Sequence, residues 1–468
     1  MSSGAHNKYT DASGKRFNPS AYRLESITLA NHKGMSKEIE NIVPSFKFTE
    51  SLYSPSLIAE FDIGDSVNLF EEFQLCGQET ITVKLGYLEH ETGIEKNINL
   101  KFYVMDYPTY GRPDSKENMQ VYKIKGISEQ AYISSHKKIS RAYEYKKTSD
   151  IIKNILERDC NLTSDAFAIN GEGEALLSKI KWLCTYQTPL QAIESLRARS
   201  YDSFGAPYYL YASIDGKYHF KSHTDIVNAP LYNTYRSARQ FSSEPQTAGD
   251  YLERSTRILS CASSLKLSKV AQAQAGAYGS TNYTLDYTQK NFNFIPYNYT
   301  QDFDVENTLE GKKVLSEQFG VSNGANTPVQ TSDMFQSAHV EYTSLNTGAY
   351  KGNTENPIDE GMLYNDLTAV SLNKLNSYRA LANTTTHDLV LNGDLNLNPG
   401  RKIELVFPKA IDPEVIKEVL DKSDADVIDK TLSGKYFIAG AEHVFKMGDY
   451  KVNLKVKRDS FRQDLTEE

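Results

Sequence analysis

Residues 391–407, LNGDLNLNPGRKIELVF, begin the part of the chain whose pattern decides the fold. Gly393-Asp394 and Pro399-Gly400 are turn dipeptides that bound a pair of strands. After a spacer, apolar and polar residues alternate again in LSGKYFIAGAEHVF (432–445) and YKVNLKVKRD (450–459). Alternation with a period of two between turn residues is typical of half-buried strands. This part of the chain is therefore predicted to be a β-domain over residues 386–468.

A similar series of strands is predicted near the N terminus, over residues 21–130. Four of its segments resemble four C-terminal segments in the same order, which suggests an internal duplication; chance similarity between alternating strands is the competing explanation. A duplicated chain would contain two similar β-barrels or sandwiches. Three such chains around a three-fold axis would present six similar units to a six-fold ring. The paired segments are 63–69 with 392–397, 77–83 with 400–406, 101–105 with 435–439, and 122–127 with 450–456.

Residues 131–245, between these two regions, show helical periodicity and predict an inserted α/β domain. DIIKNILER (150–158) places three isoleucines on one helical face, with Thr148 and Ser149 before it as candidate caps. A second helix is predicted from Thr188, where Pro189 occupies the first helical position and Gln191 completes a capping box.

A hairpin should follow in the same domain, because Asp215-Gly216 separates the alternating runs 208–213 and 217–222. Residues 246–385 are predicted to be an extended insertion, with a loop over 320–357 and an amphipathic helix over 365–382. The acidic segment 412–429 has helical periodicity, and residues 1–20 are polar and are expected to be a flexible arm.

Taken together, the runs 391–407, 432–445 and 450–459 resemble the baseplate central hub protein of contractile-tailed bacteriophages. They resemble the hub half of type VI secretion spikes more distantly. The shared features are the Gly-Asp and Pro-Gly turns, an "sGxYxI" strand start, a His-x-Phe pair and a closing Arg-Asp. The resemblance implies an α+β, mainly β fold with two similar tail-tube-like β-barrel domains, 21–130 and 386–468, and the α/β domain and extended region inserted between them.

The resemblance also implies a structural virion protein rather than an enzyme. Family members form homotrimers whose barrels make a ring of pseudo-six-fold symmetry, continuous with the tail tube, with a channel for DNA during genome ejection. The implied partners are the tail spike, the tail tube and the baseplate wedge proteins, while genomic DNA passes the lumen without specific binding. The implied location is the tail baseplate of the virion, assembled in the host cytoplasm.

Composition excludes several classes of protein. The chain has 468 residues, and its 52 Lys and Arg against 60 Asp and Glu give a net charge of −8, which argues against gripping nucleic acid by phosphate neutralisation. No window approaches 18 consecutive apolar residues, and the N-terminal segment lacks the apolar core of a secretory signal, so no direct membrane insertion is expected. The 4 cysteines form no CxxC pair, which argues against a disulfide framework and a structural zinc site and favours a reducing compartment.

Isolated residues that could carry chemistry have simpler explanations. His219 and His223 are four apart but flank a predicted strand, so they are expected to be exposed or sheet-face histidines rather than a metal pair. His443 is expected to pack or form hydrogen bonds, and Cys184 to be buried and inert. The carboxylates at 421, 424, 426 and 429 miss the spacing of a calcium loop. The sequence therefore predicts no catalytic residue, no cofactor site and no metal site.

Two alternatives remain open at this point. The 31 tyrosines could be stacking platforms of a carbohydrate- or receptor-binding tail β-protein. A cell-wall hydrolase fused to a hub would need a pair of catalytic carboxylates, and no such constellation is evident between the β regions.

Overall fold

The structure is a computed structural model in which about half of the described residues lie in strands, with helices between them. This is the mainly β, α+β class that the sequence predicts. None of the helices in the part of the chain described is long and apolar enough to cross a membrane. The structure describes residues 22–88, 95–111, 119–169, 179–198, 200–237, 255–265, 269–286, 290–312, 318–322, 328–330, 340–345, 350–351, 364–409, 428–446 and 448–461.

The strands up to the middle of the chain are β1 (Arg23–Ala30), β2 (Ser36–Glu38), β3 (Ser45–Ser51), β4 (Ser54–Asp65), β5 (Thr80–Leu88), β6 (Glu95–Gly111), β7 (Gln120–Ser128), β8 (Ile139–Lys146), β9 (Phe167–Ile169), β10 (Lys179–Gln187), β11 (Tyr208–Ala212), β12 (Tyr218–Ser222) and β13 (Leu231–Arg236). The later strands are β14 (Ile258–Leu265), β15 (Gly279–Asp286), β16 (Asn291–Asn298), β17 (Gln318–Ser322), β18 (Pro328–Gln330), β19 (Val340–Leu345), β20 (Tyr350–Lys351), β21 (Thr385–Asn392), β22 (Lys402–Val406), β23 (Gly434–Lys446) and β24 (Asp449–Arg458). The helices are α1 (Leu69–Glu72), α2 (Glu129–Ser135), α3 (Thr148–Cys160), α4 (Pro189–Arg197), α5 (His223–Asn228), α6 (Lys269–Gln274), α7 (Tyr299–Asp302) and α8 (Tyr364–Leu381).

One sheet contains strands from both ends of the chain. Its order is β14-β21-β24-β23-β3-β4-β7-β6-β5-β1-β2, and β22 branches from β23 to pair with β13. The seam is the antiparallel pairing of β3 with β23, which runs from Ser51 opposite Gly440 to Ser45 opposite Lys446. Among the described strands this path has two ends, so it does not close into a barrel within one chain.

Aromatic side chains fill the buried face of the sheet at the seam. Phe445 of β23 lies opposite Phe46 of β3, which in turn lies opposite Phe61 of β4. The rings of Phe46 and Phe445 stack at 4.7 Å, and those of Phe445 and Tyr450 at 4.3 Å. Each such ring buries roughly 150–250 Å², so the seam is a large part of the hydrophobic core.

The inserted α/β region agrees with most of its sequence-based predictions. The Thr188 side chain accepts a hydrogen bond from the backbone amide of Gln191, and the side-chain oxygen of Gln191 accepts one from the backbone amide of Thr188, which completes the predicted capping box. β11 and β12 form the predicted hairpin around Asp215-Gly216. The caps predicted for α3 are wrong, because Thr148 and Ser149 lie inside the helix and Lys147 occupies the capping position without a side-chain bond.

The described parts of the region 246–385 contain more helix and strand than their polar sequence predicts. α8 forms where the amphipathic helix is predicted, and α6 precedes a small sheet of β16, β15 and β19. The predicted loop over 320–357 contains short strands, because β19 pairs with β15 in parallel and β17 with β18. The predicted N-terminal arm 1–20 and most of the acidic segment 412–429 lie outside the described residues.

Gly393 is a position where the fold requires glycine. A Cβ built on Gly393 would lie 2.0 Å from Cδ1 of Tyr450, whose ring is fully buried. Gly393→Ala should therefore lower the free energy of unfolding by about 1–3 kcal/mol, as overpacked cores do. Urea denaturation at a fixed protein concentration measures this. Gly111→Ala is the matched control, since nothing lies within 4 Å of its Cβ position; an equal loss in both variants would contradict the explanation.

Candidate assembly interface

The pairing of the strands repeats in the two halves of the main sheet. β4 pairs with β7 as β21 pairs with β24, and β5 with β6 as β22 with β23. The pairs β6 with β7 and β23 with β24 correspond in the same way, as do β3 with β4 and β14 with β21. All eight pairings are antiparallel. The four segment pairs predicted as a duplication therefore fall on strands with equivalent neighbours.

The turns that follow β4 and its counterpart β21 also have similar structures. Asp65 and Asp394 each follow a glycine, and each accepts a hydrogen bond at 2.9 Å from the amide two residues later. A buried tyrosine stands beside each carboxylate. Burial, and then the carboxylate of Asp65, raises the pKa of Tyr122; burial and Asp394 do the same for Tyr450.

The two sets differ in how their outer edges are covered. β3 has its outer edge covered by residues 440–446 of β23. Its counterpart β14 pairs with β21 on one side and has no partner on the other side among the described strands. Residues 440–446 of β23 correspond to residues 105–111 at the end of β6. The pairing of β6 with β5 ends at Tyr103, so among the described strands residues 105–111 pair only with β7. Among the described strands, one chain thus carries two open edges that correspond to the two sides of the β3–β23 pairing.

Apolar side chains are exposed along both open edges. Leu259 and Leu265 of β14 are 44% and 43% exposed, and Met105 and Tyr110 of β6 are 51% and 53% exposed. An edge with unpaired amides and carbonyls is a template for pairing with another strand. Exposed apolar residues on such edges are typical of strands that another chain covers.

The face of the sheet opposite the aromatic core carries charged side chains that are partly exposed to solvent. Lys47 of β3 contacts Glu442 of β23 at 2.8 Å and Glu60 of β4 at 3.2 Å. Lys123 of β7 contacts Asp62 of β4 at 3.5 Å. Hydrogen bonding to Glu442 raises the pKa of Lys47 despite partial burial. Single exposed pairs of this kind contribute little to stability, so the row defines a solvated surface more than it holds the fold together.

A buried polar cluster joins three parts of the chain at the seam. His443 Nε2 lies 2.9 Å from Glu50 Oε1, and His443 Nδ1 lies 2.7 Å from the Tyr450 hydroxyl. The other oxygen of Glu50 accepts a hydrogen bond from the Ile214 amide at the tip of the β11–β12 hairpin. His443 is therefore a hydrogen-bonding core residue, as its sequence context predicts.

The other residues singled out in the sequence do not come together in one site. His219 lies on β12 with its Nε2 3.1 Å from Asp215. His223 begins α5 and is fully buried, with its Nε2 2.9 Å from the carboxylate of Asp459, so the predicted exposed or sheet-face position is wrong for this residue. Cys184 is buried with its thiol directed at the Ile139 carbonyl, and burial raises its thiol pKa. The carboxylates at 421, 424 and 426 lie outside the described residues. That the chain has no catalytic residue stays a prediction.

Two structural features that could have a function escaped the sequence analysis. β14 lies in a run, ILSCASSL, whose serines and alanine hide its role as a counterpart of β3. His32 lies 44 residues before Cys76, so no local motif marks the group of His32, Cys76 and Glu79. Only the repeated order of strands could have pointed to the first feature.

Removing Glu50 should destabilise the fold strongly. Glu50→Ala leaves the buried His443 and the Ile214 amide without their partner, and loss of one member of a buried pair costs about 3–5 kcal/mol. Urea denaturation at one protein concentration measures the loss. Glu60→Ala, in the solvated row, is the matched control and should cost less than about 1 kcal/mol. Similar losses in the two variants would show that the buried cluster does not hold the seam.

The fold is similar to that of solved tail proteins. The tail protein from Neisseria meningitidis MC58 superposes with a TM-score of 0.51 and 10% identity, over 94% of this chain and 97% of that one. The 43 kDa tail protein of prophage MuSo2 from Shewanella oneidensis gives a TM-score of 0.48 and 11% identity, over 93% and 99% of the two chains. An Escherichia coli type VI secretion component, described as similar in structure to T4 bacteriophage tail proteins, gives 0.40 and 7%, over 96% and 79%.

No protein-family model matches the sequence, and no curated protein does. Of the three similarities, the first is strong enough to establish the fold, and its low identity limits it to the fold. The fold of the Neisseria meningitidis tail protein agrees with the resemblance to phage tail proteins predicted from the C-terminal runs. We conclude that this chain has the fold of a tail protein.

Proposed function

We propose that this chain is the trimeric hub of a phage tail baseplate, which joins the six-fold tail tube to the three-fold spike. The observation that carries the proposal is the repeated strand order, in which one copy covers an edge that the other copy leaves open. The role is structural, and its mechanism is geometric rather than chemical.

The open edges supply the contact between subunits. Within the chain, β3 pairs with residues 440–446 of β23. By the same rule, β14 of one subunit pairs antiparallel with residues 105–111 of β6 in the next. This contact is head-to-tail, because it joins two different surfaces, and such contacts close into rings when the rotation between subunits allows it.

Three subunits make the symmetry match. The path from β14 to β6 contains eight strands, four from each repeat, so three copies give a closed ring of 24 strands in six similar units. Such a ring presents a six-fold pattern to the tube while the remaining parts of the chain keep the three-fold order of the spike. The two tube-like barrel units of each chain are completed only in this ring.

The charged face of the sheet lines the channel in this arrangement. Lys47 and Lys123 on this face have acidic neighbours, Glu442 and Glu60 beside Lys47 and Asp62 beside Lys123, which weaken their attraction for phosphates. DNA therefore passes the lumen without specific binding during genome ejection. In the proposed arrangement, the spike, the tube and the wedge proteins contact the outside and the two ends of the ring. The protein is then part of the tail baseplate of the virion and is assembled in the host cytoplasm.

The subunit count is the first test. Native mass measurement of the purified protein, alone and mixed with its spike protein, should give three chains per particle. A chain that is strictly monomeric in both samples would overturn the proposal. Binding on a glycan array by such a monomer would instead favour a carbohydrate- or receptor-binding tail protein.

The open edges are tested separately by charge substitutions. Met105→Asp on β6 and Leu265→Asp on β14 should each shift the particle from trimer to monomer, because each places an unpaired carboxylate in the subunit contact. Light scattering coupled to size exclusion measures the shift. Leu183→Asp on β10 is the matched control, since Leu183 is 64% exposed and lies outside the main sheet. Trimers that persist in the first two variants would refute this strand pairing even if the trimer itself is real.

A further inference from the structure

Two loops at one end of β1 and β5 lie side by side and are tied together. The side-chain amide of Asn31, after β1, donates to the carbonyl of Phe73, after α1, at 3.0 Å. The ammonium of Lys33 donates to the Gln74 side chain at 2.6 Å. These contacts hold the segment after β1 against the segment that leads into β5.

Three groups able to bind a metal ion meet between these loops. Cys76 and His32 are exposed, Glu79 is fully buried, and one ligand atom from each lies within 4.8 Å of the other two. The Cys76 sulfur is 3.5 Å from Nδ1 of His32. In tetrahedral zinc sites, Zn–S of about 2.3 Å and Zn–N of about 2.0 Å place sulfur and nitrogen about 3.5 Å apart. The thiol and the imidazole therefore already have the spacing of two zinc ligands.

Three hydrogen bonds hold the Glu79 carboxylate in place, and one of its oxygens can still bind a metal ion. Its Oε1 accepts from the Cys76 amide at 2.6 Å, and its Oε2 accepts from the Gly77 amide at 2.9 Å and the Tyr107 hydroxyl at 2.8 Å. A carboxylate offers about four acceptor positions, so one remains on Oε1. The three donors also fix the orientation of the carboxylate, as supporting hydrogen bonds do in metal sites.

We propose that His32, Cys76 and Glu79 form a binding site for a single zinc ion, with water as its fourth ligand. One sulfur, one nitrogen and one oxygen suit zinc and related transition-metal ions, whereas calcium and magnesium prefer oxygen ligands alone. On binding, the Cys76 thiol gives its proton to solvent and the thiolate bonds to the metal. The ion would link the two loops to each other. The site lies beside β6, because the Tyr107 hydroxyl of β6 donates a hydrogen bond to Glu79. The proposal departs from the sequence-based prediction, which argued against a structural zinc site because the chain has no CxxC pair.

Metal titration of the full-length protein tests the site, and it does not depend on the trimer. Metal-free protein should bind one Zn²⁺ per chain in competition with a chromophoric chelator, and Zn²⁺ should raise the melting temperature. Co²⁺ should give the charge-transfer absorption of a thiolate-bound metal. Cys76→Ser and His32→Ala should each weaken Zn²⁺ binding at least tenfold, and Cys76→Ser should abolish the charge-transfer band.

The control uses a second cysteine that also has a histidine neighbour. Cys261 lies 3.9 Å from Nδ1 of His387, and that imidazole is fully buried and bonds to Ser263 and Tyr436. Cys261→Ser should leave Zn²⁺ affinity and the Co²⁺ spectrum unchanged. Since Cys76 and His32 are exposed, their variants should melt like the wild type without metal, which separates loss of binding from loss of folding. No Zn²⁺ binding by the wild type, or equal binding by Cys76→Ser, would overturn the proposal.

Discussion

The antiparallel pairing of β3 with β23 is the contact on which the rest of the molecule depends. It joins residues almost 400 positions apart in the chain, and it turns two separate sets of strands into one sheet. The same pairing brings Phe46 against Phe445 and places Glu50 beside His443. Without it, the two halves would each present an unpaired edge and an uncovered aromatic face.

The buried polar cluster gives this seam its specificity. Apolar stacking alone would tolerate a slip of two residues along the strands, because side chains on the same face would still meet. Glu50 has partners on β23 and on the β11–β12 hairpin, and these are satisfied together in one register. The inserted α/β region is therefore fixed to the sheet by the same carboxylate that aligns the sheet. A second buried carboxylate, Asp459, repeats this role near the C terminus by accepting from the Leu309 amide beside His223.

The repeat also explains the form of the proposed assembly. Within the chain, the edge of β3 is covered by β23, and the counterparts of these two edges, at β14 and β6, have no partner among the described strands. A protein made of two equivalent units has no way to cover its last edges alone, unless its own sheet closes. Covering them with another subunit uses a geometry that the fold already contains.

The sequence by itself determined the local elements. The alternation in 402–407 and 450–459, the capping box at Thr188 and the Asp215-Gly216 hairpin all depend on residues a few positions apart, so their patterns are legible without the fold. The duplication was visible for the same reason. The tertiary structure decided which strands pair across the chain, where β14 lies, and that His32, Cys76 and Glu79 meet. These features rest on contacts between distant segments, whose energy comes from packing and shared hydrogen bonds that no local pattern records.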